Sequence, residues 1–265
     1  MSKEDERANF LAIGDVHGHW ESVIEAIDTA TSTLGFPPDL VLQVGDAEPL
    51  RNQIDLDGVH TPKKYRKLGT FSALSPGDLR SPVYFVAGNH EPYPVLDGLG
   101  SPFPVPWGDD GLGVYYLGRG GATVLEGKLT VAWLSGIYSP KTDANMRPNS
   151  IKVRTYSSNS EVAETLRAGS KVGQVDVLVT HDWPSGLGLG HGNDVVQQRT
   201  ETLHPKLHIC GHMHRAAERT IGATAIHALN AVPPATGHEG RERLGWWRLY
   251  ERDSTGSIHC LAMGC

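Results

Sequence analysis

Cysteine and long apolar runs are scarce in this chain of 265 residues. It has three cysteines, two of them among the last six residues, which is too few for a disulfide framework. We therefore expect a reducing, cytoplasmic environment. No stretch reaches the roughly 20 apolar residues that span a bilayer, so we expect no membrane partner. The net charge of −6 argues against a protein that coats nucleic acid through charge alone, although a local basic groove stays open.

The composition favours one folded domain. Hydrophobic residues make up 39% of the chain, which is enough to bury a sizeable core, and no low-complexity linker divides it. The first residues, MSKEDERAN, are charged and lack the apolar run of a secretory signal. We therefore predict a disordered tail over residues 1–8 and a single domain over residues 9–265.

Short apolar runs are typical of strands that are buried on both faces. The clearest runs cover residues 10–15, 40–46, 83–90, 175–182 and 207–212. Apolar residues at helical spacing predict a helix over residues 20–34, and Ser158 with Glu161 forms a capping box that opens a helix ending at Gly169. Further strands are predicted over residues 114–117, 122–125, 129–134, 220–229, 244–250 and 257–262. The fold class is therefore α/β, with two sheets and helices outside them.

Polar side chains follow each of the five main runs, at the strand ends where ligands bind in open α/β sheets. In chain order they are Asp15 and His17, Asp46, Asn89 and His90, His181, and finally His212 and His214. Two of these pairs are spaced i, i+2. In extended backbone this spacing points both side chains the same way, so each pair can bind one ion.

The types of side chain indicate the metal chemistry. Carboxylate, imidazole and amide oxygen without thiolate suit divalent ions such as Mn, Fe or Zn. Seven ligands (this set without His90) are too many for one tetrahedral zinc and about right for two ions that share a carboxylate. Two divalent ions against Asp15 and Asp46 leave a positive pocket, even with a bridging hydroxide, and such a pocket attracts a phosphate.

The order of five short blocks resembles the calcineurin-like metallophosphoesterase family. The blocks are GDVHG (14–18), GD (45–46), GNHE (88–91), THD (180–182) and GHMH (211–214). The resemblance implies a four-layer α/β/β/α sandwich with two mixed central sheets and a metal site at the C-terminal strand ends. It assigns one metal to Asp15, His17 and His214. It assigns the other to Asn89, His181 and His212.

The same resemblance implies that Asp46 bridges the two metals and that a bridging hydroxide is the nucleophile. His90 would stand beside the substrate, as proton donor to the leaving oxygen or as a hydrogen-bond donor in the transition state. An imidazole that directly follows a ligand suits this role because it cannot stray from the metals.

A second set of segments is similar to the RNA lariat-debranching enzymes. It comprises residues 45–71, SPVYFVAGNHE (81–91), VYYLG (114–118), SGIY (135–138) and HDWP (181–184). This likeness implies a phosphodiesterase that cleaves a 2′,5′-linked branch in RNA, with Arg51 and Asn52 holding the phosphate. The run KKYRK (63–67), extended by Arg147, Lys152 and Arg154, suits backbone phosphates with a stacked base, or else is a solvated surface.

Two departures keep other activities open. Debranching enzymes commonly carry Cys where this chain has Asp15, and they have an AHLH-like block where this chain has GHMH. The alternatives are a phosphomonoesterase, a nucleotide-pyrophosphate hydrolase, or a metal-binding scaffold without activity. The long segments 48–81 and 183–205 are expected to select the substrate. Within the second, the Gly-rich run 186–192 is interpreted as a flexible loop, with a lid as the alternative.

Overall fold

The computed structural model describes residues 7–62, 64, 66–139, 150–188, 190–232 and 244–264. Their helices are α1 (Trp20–Leu34), α2 (Gln53–Asp57), α3 (Tyr93–Leu96), α4 (Ile151–Arg154), α5 (Asn159–Val172) and α6 (Asp194–Leu203). Their strands are β1 (Ala8–Ile13), β2 (Leu40–Gln43), β3 (Val83–Phe85), β4 (Val105–Pro106), β5 (Val114–Tyr116), β6 (Gly120–Leu125), β7 (Leu129–Leu134), β8 (Val177–Thr180), β9 (Leu207–Cys210), β10 (Ala217–Ile221), β11 (Thr224–Ala228), β12 (Trp247–Arg252) and β13 (Ile258–Met263). None of these helices is long and apolar enough to cross a membrane.

The strands form two mixed sheets. The first has the order β13-β12-β1-β2-β3-β5-β4, with β1, β2, β3 and β5 parallel and the remaining strands antiparallel to their neighbours. The second has the order β10-β11-β9-β8-β7-β6, with a parallel centre of β7, β8, β9 and β11. The parallel centres direct the carboxyl ends of five strands towards the predicted metal ligands.

Buried side chains join the two sheets. One hydrophobic cluster combines Phe10 and Leu42 of the first sheet with Val131 and Val179 of the second. The opposite face of the first sheet packs on α1, whose residues Val23 and Ile27 belong to another cluster. The prediction of an α/β fold with two mixed sheets and helices is confirmed. The four-layer order stays a prediction, which the cluster shared by both sheets supports.

The main local predictions are confirmed with shifted boundaries. The first helix covers the predicted residues and ends at Gly35, whose positive φ of 82° suits glycine. The capping box of Ser158 and Glu161 is present, but α5 continues past Gly169 to Val172. Gly169 permits close packing instead, because a Cβ there would lie 2.6 Å from Leu203 of α6.

Two other boundary predictions were wrong. The strand predicted over residues 220–229 is a hairpin, because Gly222 adopts a positive φ of 59° and separates β10 from β11. Strand β1 begins at Ala8, inside the segment that was assigned to a disordered tail, and it pairs with Arg252 of β12. Residues 1–6 lie outside the described part of the chain.

Candidate metal centre

The predicted ligands lie in loops that follow β1, β2, β3, β8 and β9, and main-chain hydrogen bonds tie these loops together. The N–H of His17 donates to the carbonyl of Asp46 at 2.7 Å. The N–H of His212 donates to the Asp15 carboxylate at 2.9 Å, and that of His90 donates to Asp46 Oδ1 at 2.8 Å. The two aspartates therefore hold neighbouring loops in place as well as facing the site.

Glycine within the motifs makes room for these carboxylates. A Cβ at Gly88 would lie 2.2 Å from Asp46 Oδ1, and a Cβ at Gly211 would lie 2.2 Å from Asp15 Oδ1. Neither distance can accommodate a carbon atom, so the glycines of GNHE and GHMH permit the backbone to approach the carboxylates. The motifs thus combine a ligand with the space that its neighbour needs.

The first group of side chains that could hold an ion comprises Asp15, His17, Asp46 and His214. One ligand atom from each lies within 4.8 Å of all the others. The Nε2 atoms of His17 and His214 are 2.9 Å apart, and His214 Nε2 is 3.1 Å from Asp15 Oδ2. The side chain of His214 is 45% exposed, so this group faces solvent.

The second group comprises Asp46, His181 and His212, and it lies deeper. His181 is fully buried, and its Nε2 is 3.4 Å from Asp46 Oδ2 and 3.3 Å from Asn89 Oδ1. The structure therefore brings all seven predicted ligands together, with Asp46 common to both groups. His212 and His214 lie in different groups, as the family resemblance implies, and not in one group as their i, i+2 spacing suggested.

The i, i+2 argument assumed extended backbone at these pairs, and that assumption was wrong. His17, His212 and His214 adopt positive φ angles of 47°, 69° and 47°. Non-glycine residues seldom occupy this left-handed region, and such strain concentrates at functional sites. The left-handed turn at His212 removes the extended geometry on which the expected pairing of His212 with His214 depended.

The partners of the histidine rings test whether the groups fit a cation. His17 Nδ1 is 3.1 Å from Glu48 Oε1, and His181 Nδ1 is 3.0 Å from the carbonyl of Val44. Both oxygens only accept hydrogen bonds, so each Nδ1 donates, and a ring that gives up its other proton presents the Nε2 lone pair to the site. His181 Nε2 then faces Asn89 Oδ1 and Asp46 Oδ2, and His17 Nε2 faces His214 Nε2. A cation satisfies all of them at once, so the residues fit divalent metal ions.

The pKa values of the side chains also show that the centre favours positive charge. Burial alone would lower the pKa of His17, but the hydrogen bond with Glu48 and the charges of Asp46 and Asp15 raise it to about 9. Burial likewise opposes the charge of Asp46 on His181, whose pKa rises to about 10. Burial would raise the pKa of Asp46, but the charge and hydrogen bond of His181, together with the charges of His90 and His17, hold it well below its usual range. Protons and metal ions therefore compete for the same Nε2 atoms.

His90 belongs to neither group but stands beside the first. Its Nδ1 is 2.6 Å from Thr61 Oγ1, its Nε2 is 3.9 Å from Asp46 Oδ2, and its ring meets that of His17 edge-on at 5.4 Å. The hydroxyl of Thr61 thus fixes the direction of a ring that no ion holds. This geometry is compatible with the predicted role of His90 as a proton donor, which stays a prediction.

Three supporting residues were missed by the sequence reasoning. Glu91 is fully buried and accepts hydrogen bonds at 2.6 Å from the N–H groups of Ala47 and Gly88, which joins the loops after β2 and β3. Burial, followed by the charge of Asp46, raises the pKa of Glu91 well above its usual range. Glu48 and Thr61 orient the rings described above. Only Glu91 carried a signal, because it completes the GNHE block.

Arg51 and Asn52, the predicted phosphate ligands, have structural partners. Arg51 donates two hydrogen bonds to Asp55, at 2.8 and 2.9 Å, and its guanidinium lies 4.0 Å from the centroid of the Trp107 ring. Asn52 caps α2, because its side-chain oxygen accepts from the N–H groups of Ile54 and Asp55. Neither makes a contact with the ligand groups among the described residues, and their role in phosphate binding stays a prediction.

Comparison with known proteins agrees with this geometry. A family model described as calcineurin-like phosphoesterase matches residues 8–216. The chain is 27% identical over 246 residues to a lariat debranching enzyme of Entamoeba histolytica, covering 83% of this chain and 68% of that protein. It is 31% identical over 189 residues to the Drosophila melanogaster enzyme, covering 66% of this chain and 33% of that protein. The chain therefore spans about a third of the fly enzyme's length.

Solved structures share the fold at low identity. TT1561 of Thermus thermophilus has a TM-score of 0.54 and 14% identity, with 96% of this chain and 97% of that chain covered. GAP50, the anchor in the inner membrane complex of Plasmodium, has a TM-score of 0.56 and 12% identity, with 98% and 90% covered. The family match spans most of the chain and confirms the predicted class of metal-dependent phosphoric ester hydrolases. The chain belongs to the calcineurin-like phosphoesterase family.

Proposed function

We propose that this protein is a phosphodiesterase that binds two divalent ions, with Mn as the expected metal. Asp15, His17 and His214 would hold one ion, Asn89, His181 and His212 the other, and Asp46 both. The observation that carries the proposal is the common carboxylate of Asp46 between two groups of donors, with a non-ligand His90 beside them. One ion would not need the second group of donors, and a scaffold without activity would not need His90.

The residues of the chain divide the work of hydrolysis. Two bound divalent ions would polarise the phosphoryl oxygens and make water a nucleophile at neutral pH. Asp15 and Asp46 keep the loops at a fixed separation through the N–H groups of His212 and His90. His90 holds a proton at Nε2 while Thr61 occupies Nδ1, and it passes that proton to the leaving oxygen.

A basic side next to His90 supports a diester within a longer polyanion. Burial lowers the pKa of His60, and the charges of Lys152, His90 and Arg66 lower it further, so the positive charge of this side comes from Arg66 and Lys152 and not from His60. Arg66 Nε also donates to the carbonyl of Thr61 at 2.9 Å. Nucleic acid phosphates bind through such clusters.

Only part of the predicted basic run contributes to this side. The guanidinium of Arg154 is paired with the carboxylate of Asp97 at 2.8 Å, so its charge is largely neutralised and adds little to the basic side. Lys63, Tyr65 and Arg147 lie outside the described residues. The names of the debranching relatives agree with an RNA substrate that carries a 2′,5′ branch, which is the substrate that we propose for this chain.

Two assays of the Mn-loaded protein test the proposal. We expect faster turnover of bis-p-nitrophenyl phosphate than of p-nitrophenyl phosphate, because the centre and its basic side suit a diester. A clear preference for the monoester would overturn the phosphodiesterase and favour the phosphomonoesterase alternative. A synthetic 2′,5′-branched RNA beside a linear 3′,5′ control then tests the substrate, and equal cleavage of both would refute branch specificity.

A further inference from the structure

A cavity of about 640 Å³ opens beside the metal centre on the side of His212. One wall is the segment after β7 with Ile137 and Tyr138, and the other is the segment 190–195 that leads into α6. Met213 and Asp182 complete the lining at the level of the predicted ligands. Its volume falls in the range of about 300–1,000 Å³ that small-molecule sites occupy.

Asp182, which directly follows the predicted ligand His181, fixes both walls. Its Oδ2 accepts hydrogen bonds from the N–H of Tyr138 at 3.1 Å and from Asn193 Nδ2 at 2.9 Å. Asn193 also donates its N–H to the carbonyl of Trp183 at 2.8 Å. The cavity is therefore built before any ligand arrives, which reduces the cost of ordering it on binding.

Gly192 allows the second wall of the cavity to approach the main chain at Pro184 closely. A Cβ at Gly192 would lie 2.5 Å from the carbonyl oxygen of Pro184, and the residue has a φ of 123°. Only glycine fits this conformation and this approach. The Gly-rich run that was interpreted as a flexible loop thus includes a residue required for the shape of the cavity wall.

The charge of the lining disfavours a second phosphate. Asp182 and Asp194 line the cavity, and no lysine or arginine does so among the described residues that form it. A phosphate finds no lysine or arginine partner among the described lining residues, whereas Arg66 Nε donates to the carbonyl of Thr61, whose hydroxyl lies 2.6 Å from His90 Nδ1. The ring of Tyr138 and the thioether of Met213 provide surfaces on which an aromatic base packs.

We propose that this cavity is a nucleoside subsite that holds the base and ribose of the nucleotide retaining the phosphate, with the base on Tyr138. The inference rests on the proposed phosphodiesterase function. His90 stands beside the first group of donors, whereas the cavity is lined by His212 of the second, so the leaving nucleotide is placed on the side of His90 and Arg66. The group that stays on phosphorus then projects towards His212 and the cavity.

Calorimetric titration of the Mn-loaded protein tests the subsite with two probes, adenosine 5′-monophosphate and ribose 5-phosphate. Both place a phosphate on the metals, and only the first carries a base. We expect adenosine 5′-monophosphate to bind more tightly by about 5- to 150-fold, the range that base stacking on an aromatic side chain gives. Tyr138→Ala should remove most of this difference and Tyr138→Phe should keep it. Phe36→Ala, at an exposed aromatic residue outside the cavity, is the matched control.

Equal affinity of the two probes for the wild type, or an unchanged difference in Tyr138→Ala, would overturn the subsite. Tyr138→Leu is the second variant if alanine unfolds the chain, because it keeps volume and lacks the ring face. Turnover of methyl p-nitrophenyl phosphate, which has no nucleoside, reports the metal centre separately. Its absence in the wild type would overturn the phosphodiesterase, while the two binding constants would still decide the subsite.

Discussion

The two halves of the metal centre share Asp46 but are held in different ways. In the deeper half, His181 is fully buried and its ring is oriented by a main-chain carbonyl, that of Val44. In the outer half, His17 and His214 reach solvent and the ring of His17 is oriented by the side chain of Glu48. The fold itself thus sets the deeper half, whereas a replaceable side chain sets the outer half. We expect the outer ion to exchange first.

The largest expected effect comes from changing Asp46, the carboxylate that both halves share. Asp46→Asn removes the carboxylate common to both groups, and we expect fewer than two bound ions per chain and a rate loss of about 10³-fold or more, since several kcal/mol of charge stabilisation are lost. Metal analysis and diester turnover measure the two quantities. Asp57→Asn, at an exposed carboxylate in α2, is the control. Two ions and normal turnover in Asp46→Asn would contradict a shared ligand.

Removing His90 separates metal binding from proton transfer. His90→Ala should retain both ions, because His90 belongs to neither group of donors, and should lose about 10²- to 10⁴-fold in rate, as for a lost general acid or base. Turnover and metal content of the same preparation give the answer. A variant with wild-type turnover would refute the role of His90, and one that loses an ion would make it a ligand.

Thr61 tests whether the outer half needs a side chain to aim its proton donor. Thr61→Val keeps the shape but removes the hydroxyl that lies 2.6 Å from His90 Nδ1. We expect kcat to fall by about 10- to 100-fold with both ions still bound, as for a lost partner that orients a functional ring. Thr61→Ser restores the hydroxyl and should recover most of the rate. Equal rates for the valine and serine variants would contradict orientation by Thr61.

Glu48 tests the difference between the halves directly. Glu48→Gln leaves a weaker partner for His17 Nδ1, so we expect affinity for one of the two ions to fall by about 10- to 100-fold. Affinity for the other ion should not change, because the carbonyl of Val44 still orients His181. Competition with a metal indicator measures both affinities, and in the variant only one of them should fall. A parallel loss of both would contradict independent orientation.

The residues that orient the ligands, unlike the ligands themselves, could not be predicted from the sequence. The seven donors stand out because their chemical types recur after buried strands. Thr61 reaches His90 across 29 positions of the chain, and no local pattern announces this contact. The positive φ of His17 and His212 is equally hidden, since non-glycine residues rarely adopt it. The tertiary packing of the loops decides both.

Glycine illustrates the same limit in the fold. Gly35 ends α1 as predicted, because a helix end commonly places glycine in the left-handed region. Gly169 looked identical at the level of sequence, yet it lies inside α5 and accommodates Leu203 of α6. A local rule cannot distinguish a helix end from a packing contact, since the contacting residue is more than 30 positions away along the chain.

The smallest expected effect concerns His208 of β9, the strand that leads to His212 in the deeper half. His208 lies between Thr180 and Thr200, with its Nε2 and Nδ1 at 2.8 and 3.0 Å from their hydroxyls. Burial lowers the pKa of His208 to about 3, whereas an unfolded chain gives its histidines a pKa of about 6.5. Between these values the unfolded chain binds the extra proton. The free energy of unfolding therefore falls with decreasing pH, by up to about 1.4 kcal/mol per pH unit from this residue.

His208→Gln should remove that contribution. Urea unfolding of the metal-free protein between pH 6.5 and 4 should give a shallower dependence on pH for the variant, by up to about 1.4 kcal/mol per unit, even if its stability at pH 7 is lower. His204→Asn, at an exposed histidine in the left-handed conformation that ends α6, should leave the dependence unchanged. Parallel curves for wild type and His208→Gln would mean that His208 is protonated in the folded chain. The core beneath the deeper half would then admit a proton that its burial should exclude, although the carbonyl of Val44 would still orient His181.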